Sequence, residues 1–162
     1  MRVILELIVL CGIILMIAFS CEKDDPKTIE TVMKLVNDND VIIDTFEKSD
    51  SVLFKFYLIN NKGREVTYVR PNDGIMGFLK VYKKSLKGEY EYIGHPWVYW
   101  APVVIIEKIN DKETKLLGSV PTTSEFNWPE MNSGNYYVGD TFKITIDDER
   151  RHFESRIYFT IE

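Results

Sequence analysis

Val52-Leu53-Phe54-Lys55-Phe56-Tyr57-Leu58-Ile59-Asn60-Asn61-Lys62-Gly63 is the stretch that decides the fold class. In an extended chain successive side chains point to opposite faces. Val52, Phe54, Phe56 and Leu58 then share one side, and Lys55 and Tyr57 lie on the other. That alternation is the mark of a half-buried strand. Asn60-Asn61-Lys62-Gly63 supplies residues that accept positive φ, so the strand ends in a tight connection. The chain resumes as Glu65-Val66-Thr67-Tyr68-Val69.

Working outward, the same period of two recurs. Pro71-Asn72-Asp73-Gly74 reads as a turn, Met76 to Tyr82 as a strand, and Leu86-Lys87-Gly88 as a turn into Tyr90-Glu91-Tyr92-Ile93. Val103-Val104-Ile105-Ile106 and Lys115-Leu116-Leu117 flank Asn110-Asp111-Lys112-Glu113, which reads as a hairpin. Phe142, Ile144 and Ile146 alternate with Thr141, Lys143 and Thr145. Asp147-Asp148-Glu149-Arg150 turns the chain back into a last strand carrying Ile157, Phe159 and Ile161. An apolar face running so near the C-terminus requires deep pairing. Upstream, Asn37-Asp38-Asn39-Asp40 is a turn cluster. Ile29, Val32, Met33 and Val36 fit helical spacing with Thr28 as N-cap, yet Thr31 to Val36 fits a first strand equally. Seven or eight short strands with turns between them predict an all-β, antiparallel sandwich.

Phe54 to Gly63 resembles the second strand and turn of immunoglobulin-like domains in exported bacterial proteins, where an alternating strand ends in Asn and a turn. Gly139-Asp140-Thr141-Phe142-Lys143-Ile144 is similar to the Gly-x-x-Tyr-x-Ile strand near the end of such domains, with Phe142 where Tyr is usual. The resemblance implies an immunoglobulin-like β-sandwich. It implies no antibody-type domain, since the Cys-Trp-Cys pattern is missing from the sequence.

The N-terminus tells a second story. Leu7 to Phe19 is an uninterrupted apolar run behind Arg2 and Glu6. It is shorter than the roughly 20 residues of a spanning helix and suits the apolar core of a secretory signal. An uncleaved anchor starting at Val3 must place Glu6 in or beside hydrocarbon, which is costly. Ala18-Phe19-Ser20-Cys21 resembles the lipobox of bacterial lipoproteins, with Ala18 where Leu is usual and a bulky Phe19 at the next position. Lys23-Asp24-Asp25 looks like the signal that exports some Gram-negative lipoproteins to the outer face of the outer membrane. The resemblance implies cleavage before Cys21, acyl chains on the Cys21 sulfur and amine, and a surface-exposed, outer-membrane location. Several chains together anchor where a single one binds only marginally. The expected organisation is a signal peptide over 1–20, a lipidated flexible tether over 21–30 and the sandwich over 31–162.

The chain carries 20 Lys and Arg against 25 Asp and Glu, a net charge of −5. Residues 1–20 hold one charge of each sign, so cleavage leaves the balance unchanged. An acidic domain argues against nucleic acid, whose binders cluster basic charge. It also argues against electrostatic adhesion to anionic lipid, so the acyl groups must hold the membrane. Cys11 and Cys21 are the two cysteines. Maturation leaves the domain with no disulfide, no cysteine nucleophile and no Cys-ligated zinc.

Candidate chemistry is sparse. His95 and His152 are the two histidines, and neither sits near a nucleophile motif. Asp38, Asp40 and Asp44 have early calcium-loop spacing but lack the glycine and distal Glu of an EF-hand, and Asp147-Asp148-Glu149 reads as a hairpin cap. No metal or cofactor is expected beyond the lipid on Cys21. His95-Pro96-Trp97-Val98-Tyr99-Trp100-Ala101-Pro102 is the unusual segment. Its prolines place it on an edge strand or loop. Trp97, Tyr99 and Trp100, extended by Trp128, are the candidate binding surface for a protein partner or a glycan. The alternative is that one face of this run fills the core. The expected function is a non-catalytic binding or structural module anchored in the cell envelope. The alternatives are a protease-inhibitor-like module presenting residues 118–135 as a loop, or a hydrolase using His95.

Overall fold

The computed structural model describes residues 28–71, 79–97, 104–123 and 126–162. Cys21 and Lys23-Asp24-Asp25 lie outside the described residues, as do Tyr99 and Trp100. Ten strands are described: β1 (Ile29–Asn37), β2 (Thr45–Phe46), β3 (Val52–Asn60), β4 (Val66–Pro71), β5 (Val81–Lys84), β6 (Tyr90–Gly94), β7 (Val104–Ile109), β8 (Thr114–Pro121), β9 (Gly134–Ile146) and β10 (Glu149–Ile161).

One sheet has the order β1-β3-β8, and the other runs β2-β10-β9-β4-β7 with β5 and β6 branching from β9. In an immunoglobulin fold strands A, B and E oppose G, F and C. Here β1, β3 and β8 oppose β10, β9 and β4, with β7 extending the second sheet beside β4. The protein is an immunoglobulin-like β-sandwich. Pairing is antiparallel throughout except for two-residue β2, which runs parallel to the end of β10.

The deciding stretch behaves as its alternation requires. Along β3 every second residue is buried, from Val52 through Phe54, Phe56 and Leu58 to Asn60. The opposing sheet contributes Tyr136, Val138, Ile144, Ile146, Phe159 and Ile161. Phe159 joins the two layers, stacked on Tyr136 at 5.6 Å and on Phe46 at 5.5 Å and edge-on to Phe54 at 5.7 Å. β9 and β10 pair over their whole length, Gly134↔Ile161 to Ile146↔Glu149. Their two-residue turn places both Asp147 and Asp148 at positive φ, the geometry that matches strand twist.

Several expectations are corrected. Ten strands are described rather than seven or eight, because the undecided residues 29–37 form β1 and two-residue β2 is too short to show a period. Residues 29–37 form a strand, so the helical spacing at Ile29 to Val36 was coincidental, and β1 begins two residues inside the span read as tether. β5 starts at Val81 rather than Met76; residues 72–78 lie outside the described residues. Asn110–Glu113 does not close a hairpin: β7 pairs with β4 and β8 with β3, so the turn carries the chain from one sheet to the other.

That crossing is held by Asn60, the buried polar residue among the described core. Its Nδ2 donates to the carbonyls of Arg64 (2.8 Å), Ile109 (3.1 Å) and Asn110 (3.0 Å). Its Oδ1 accepts the Lys62 N–H at 3.0 Å. Buried amides need such partners, because an unpaired one costs about 1–3 kcal/mol. One side chain thus ties the β3–β4 and β7–β8 turns together at one pole. Thr28 lies at this pole too, its carbonyl accepting the Asn61 N–H at 2.8 Å.

Candidate functional site

The outer face of the larger sheet carries a row of tyrosines. Register sets Tyr158 of β10 opposite Tyr137 of β9, Tyr137 opposite Tyr82 of β5, and Tyr82 opposite Tyr92 of β6. Their neighbours Val138, Phe159 and Val81 face inward and are buried. Period two therefore turns the four phenols outward. Four strands at about 4.8 Å spacing make the row roughly 15 Å long.

The rings pack on one another. Tyr82 and Tyr137 stack at 4.4 Å and 14°, Tyr137 meets Tyr158 at 5.4 Å, and Tyr82 meets Tyr92 edge-on at 5.5 Å. Tyr90, two residues before Tyr92, stands edge-on to Tyr137 at 4.9 Å and to Tyr158 at 5.8 Å. The end members are the most open, Tyr92 at 51% and Tyr158 at 53%. Arg156 lies over Tyr137, its Cζ 5.5 Å from the ring centre, and pairs with Glu154. A hydrogen bond to Tyr158, then the Glu154 carboxylate, raise the Arg156 guanidinium above its usual range, against a smaller desolvation.

Gly139 makes room for this arrangement. Its φ is +140°, and a Cβ there would lie 2.0 Å from the Ser155 carbonyl oxygen and 2.9 Å from the Arg156 Cα. Only glycine lets β9 approach β10 this closely beside Tyr137.

His95 extends the row. It is exposed, its ring parallel to that of Tyr92 at 6.5 Å, with Nδ1 2.6 Å from the Tyr92 hydroxyl. His152 is exposed on β10 opposite Lys143. Among the described residues no group of three His, Cys, Asp or Glu side chains is gathered to hold a metal. Asp40 instead pairs with Lys55, and Asp147 with Arg64 and Lys62. Burial pushes the Asp147 carboxyl upward, but the Thr67 N–H, the Arg64 hydrogen bond and the two cations outweigh it and hold it below its ordinary value.

The tryptophans divide. Trp97 is 59% exposed, and its backbone N–H donates to the Phe126 carbonyl at 2.9 Å. Trp128 is corrected to a core-edge residue. Its ring stacks on buried Phe54 at 5.1 Å, and its Nε1 donates to the Pro121 carbonyl at 2.7 Å. Phe126 and Met131 pack against the same core. Within residues 118–135, β8 runs to Pro121, and Phe126, Trp128 and Met131 pack against the core.

The tyrosine row escaped the sequence reading. Tyr90-x-Tyr92 was a visible period-two pair, and nine tyrosines in 162 residues was a further signal. What assembles the row is register among four strands, two of them an insertion after β4, and spacing along the chain does not encode it.

No family model matches this chain. No curated protein matches it either. Solved structures resemble it distantly. A CARDB domain from Pyrococcus furiosus, crystallised in complex with di-metal ions, is 12% identical, with 83% of this chain and 88% of that one covered and a TM-score of 0.37. A PapD-like domain of human CEP192 is 8% identical, covering 84% and 86%, with a TM-score of 0.39. The CooA pilin subunit of enterotoxigenic Escherichia coli is 8% identical, covering 81% and 99%, with a TM-score of 0.32. Strand order, rather than these likenesses, identifies the sandwich.

Proposed function

We propose that this chain is a lipid-anchored protein of the bacterial outer membrane whose sandwich is a non-catalytic binding module. The observation that carries the binding role is the outward tyrosine row with Arg156 over it. Tyrosine and arginine are enriched where proteins make contact, because they supply large, stiff, amphipathic area. Ring packing also holds the phenols in place before a partner arrives, which lowers the entropic cost of binding.

The anchor reading rests on Ser20-Cys21 behind the apolar leader, and surface exposure on Lys23-Asp24-Asp25. The two readings are compatible in space. Thr28 enters at the pole of the Asn60 turns, where β10 also begins. Tyr158 lies nine residues along β10, about 30 Å from that pole. A membrane-proximal Cys21 would thus present the row away from the bilayer.

Photo-crosslinking on intact cells tests the binding role. Benzoylphenylalanine at Tyr92 or Tyr158 should yield discrete adducts absent when it replaces exposed Glu30 on the opposite sheet. Equal adducts at all three positions would sink the reading. A clickable fatty acid should label the wild type and leave Cys21→Ser unlabelled; labelling of both would refute the anchor.

A further inference from the structure

The chemistry of the tyrosine face narrows the partner, given that the face is a binding surface at all. An aromatic ring has an electronegative face and an electropositive edge. In the central pair, 4.4 Å apart and nearly parallel, the facing sides of both rings are closed. Tyr90 stands nearly perpendicular to Tyr137 and to Tyr158, and Tyr92 to Tyr82. The central pair thus closes one face of each of its rings, and Arg156 lies over Tyr137.

A sugar ring stacks its C–H face flat on an open aromatic face, and the stacked central pair offers none on its facing sides. The charges around the row point the same way. Counting two positions either side of it on each paired strand, the outward residues are Arg156 and Thr160 on β10, Asn135 and Gly139 on β9, Lys84 on β5 and Tyr90 on β6. Two are cations and none is a carboxylate, on a chain whose net charge is −5. Lys84 is exposed and has no ion-pair partner among the described residues. The surface is rich in donors and positive edges, and Glu154, the carboxylate next along this face of β10, is paired with Arg156.

We infer that the tyrosine row takes an acidic polypeptide segment of a partner protein, whose carboxylates and carbonyls meet Lys84, Arg156 and the phenol hydroxyls and whose apolar side chains lie along the ring edges. Electrostatic attraction of this kind steers encounter and weakens with salt, whereas the aromatic contacts hold the complex.

The full-length protein in detergent micelles, titrated with a random poly(Glu,Tyr) copolymer and separately with polygalacturonate, tests this. The copolymer should bind, at least tenfold tighter than polygalacturonate, and more weakly as salt rises. Tyr92→Ser combined with Tyr158→Ser should weaken copolymer binding at least tenfold with an unchanged melting curve, since both side chains are half exposed. Lys84→Glu should weaken it as well and flatten the salt dependence. Tighter binding of polygalacturonate would overturn the inference in favour of an anionic glycan and leave the binding-module reading standing. Failure of both polymers, or equal binding by the variants, would also overturn it. Loss of face-specific crosslinking in cells would instead remove the binding-module reading beneath it.

Discussion

The Nδ2 of Asn60 lies 3.1 Å from the carbonyl oxygen of Ile109, joining residues 49 positions apart across the two sheets. The same amide reaches Arg64 and Asn110, so the two sheet-crossing turns share one donor group. Asn60→Ala should remove all these bonds, the buried one to the Ile109 carbonyl among them, lowering stability by about 1–3 kcal/mol in urea titrations. Asn60→Asp should cost more than Ala at neutral pH, because an ionised carboxylate has no proton to donate. Part of that excess should return on acidification as the carboxyl protonates. An aspartate variant as stable as wild type at pH 7 would contradict the role assigned to Asn60.

How much of this was legible in the sequence depends on range. Alternation at Val52 to Leu58 and at Ile157 to Ile161 is local, and both strands bury the residues that the period selects. The turns at Asn37–Asp40, Leu86–Gly88 and Asp147–Asp148 carry their own chemistry and appear where that chemistry places them. Asn110–Glu113 misled because a turn signal fixes a reversal but not whether the next strand pairs with the last one. Asn60 was visible as a strand-ending Asn, while its carbonyl partners near residue 110 were not. Of the aromatic positions singled out, Trp128 was drawn inward by Phe54, a contact between residues 74 apart.

Trp128 gives a second prediction. Its ring covers Phe54 and its N–H satisfies the Pro121 carbonyl. Trp128→Ala should lower stability by about 3 kcal/mol, the low end for a large aromatic truncation, since the ring is half-buried. Trp128→Phe should recover most of this but not the part that belongs to the indole hydrogen bond, about 1 kcal/mol. Chemical denaturation of the three proteins measures both gaps. A Trp128→Ala variant within 0.5 kcal/mol of wild type, roughly the scatter of neutral surface changes, would return the residue to the binding surface.

Asp147 supplies a pH dependence. Its carboxyl is held below the ordinary value of 3.8, so the unfolded chain binds its proton more readily than the folded one. Stability from this group is complete above pH 3.8 and fades as pH falls through the lower folded value. Asp147→Asn should therefore flatten the acid limb of the stability curve in that window and lower the plateau at neutral pH. Thermal melts from pH 2 to 7 on both proteins would show it. Parallel curves would mean that the Arg64 and Lys62 pairs contribute nothing to folding.

The two glycines bounding the tyrosine face should respond differently to the same added methyl. At Gly88, in the β5–β6 turn, φ is +87° and nothing lies within 4 Å of the new Cβ. Gly88→Ala meets only the backbone penalty for a left-handed residue, about 1 kcal/mol. At Gly139 the Cβ would collide with backbone, the Ser155 oxygen at 2.0 Å, and backbone cannot rotate away as a side chain does. Gly139→Ala should push β9 from β10 beside Arg156, cost more than about 3 kcal/mol, and disturb the stacking of Tyr137. Near-ultraviolet circular dichroism reports the tyrosine packing separately from stability. Gly139→Ala should lose part of that signal even well below its melting point, while Gly88→Ala keeps it. If both variants melt together with intact tyrosine signals, the close approach of β9 and β10 is not what orders the row.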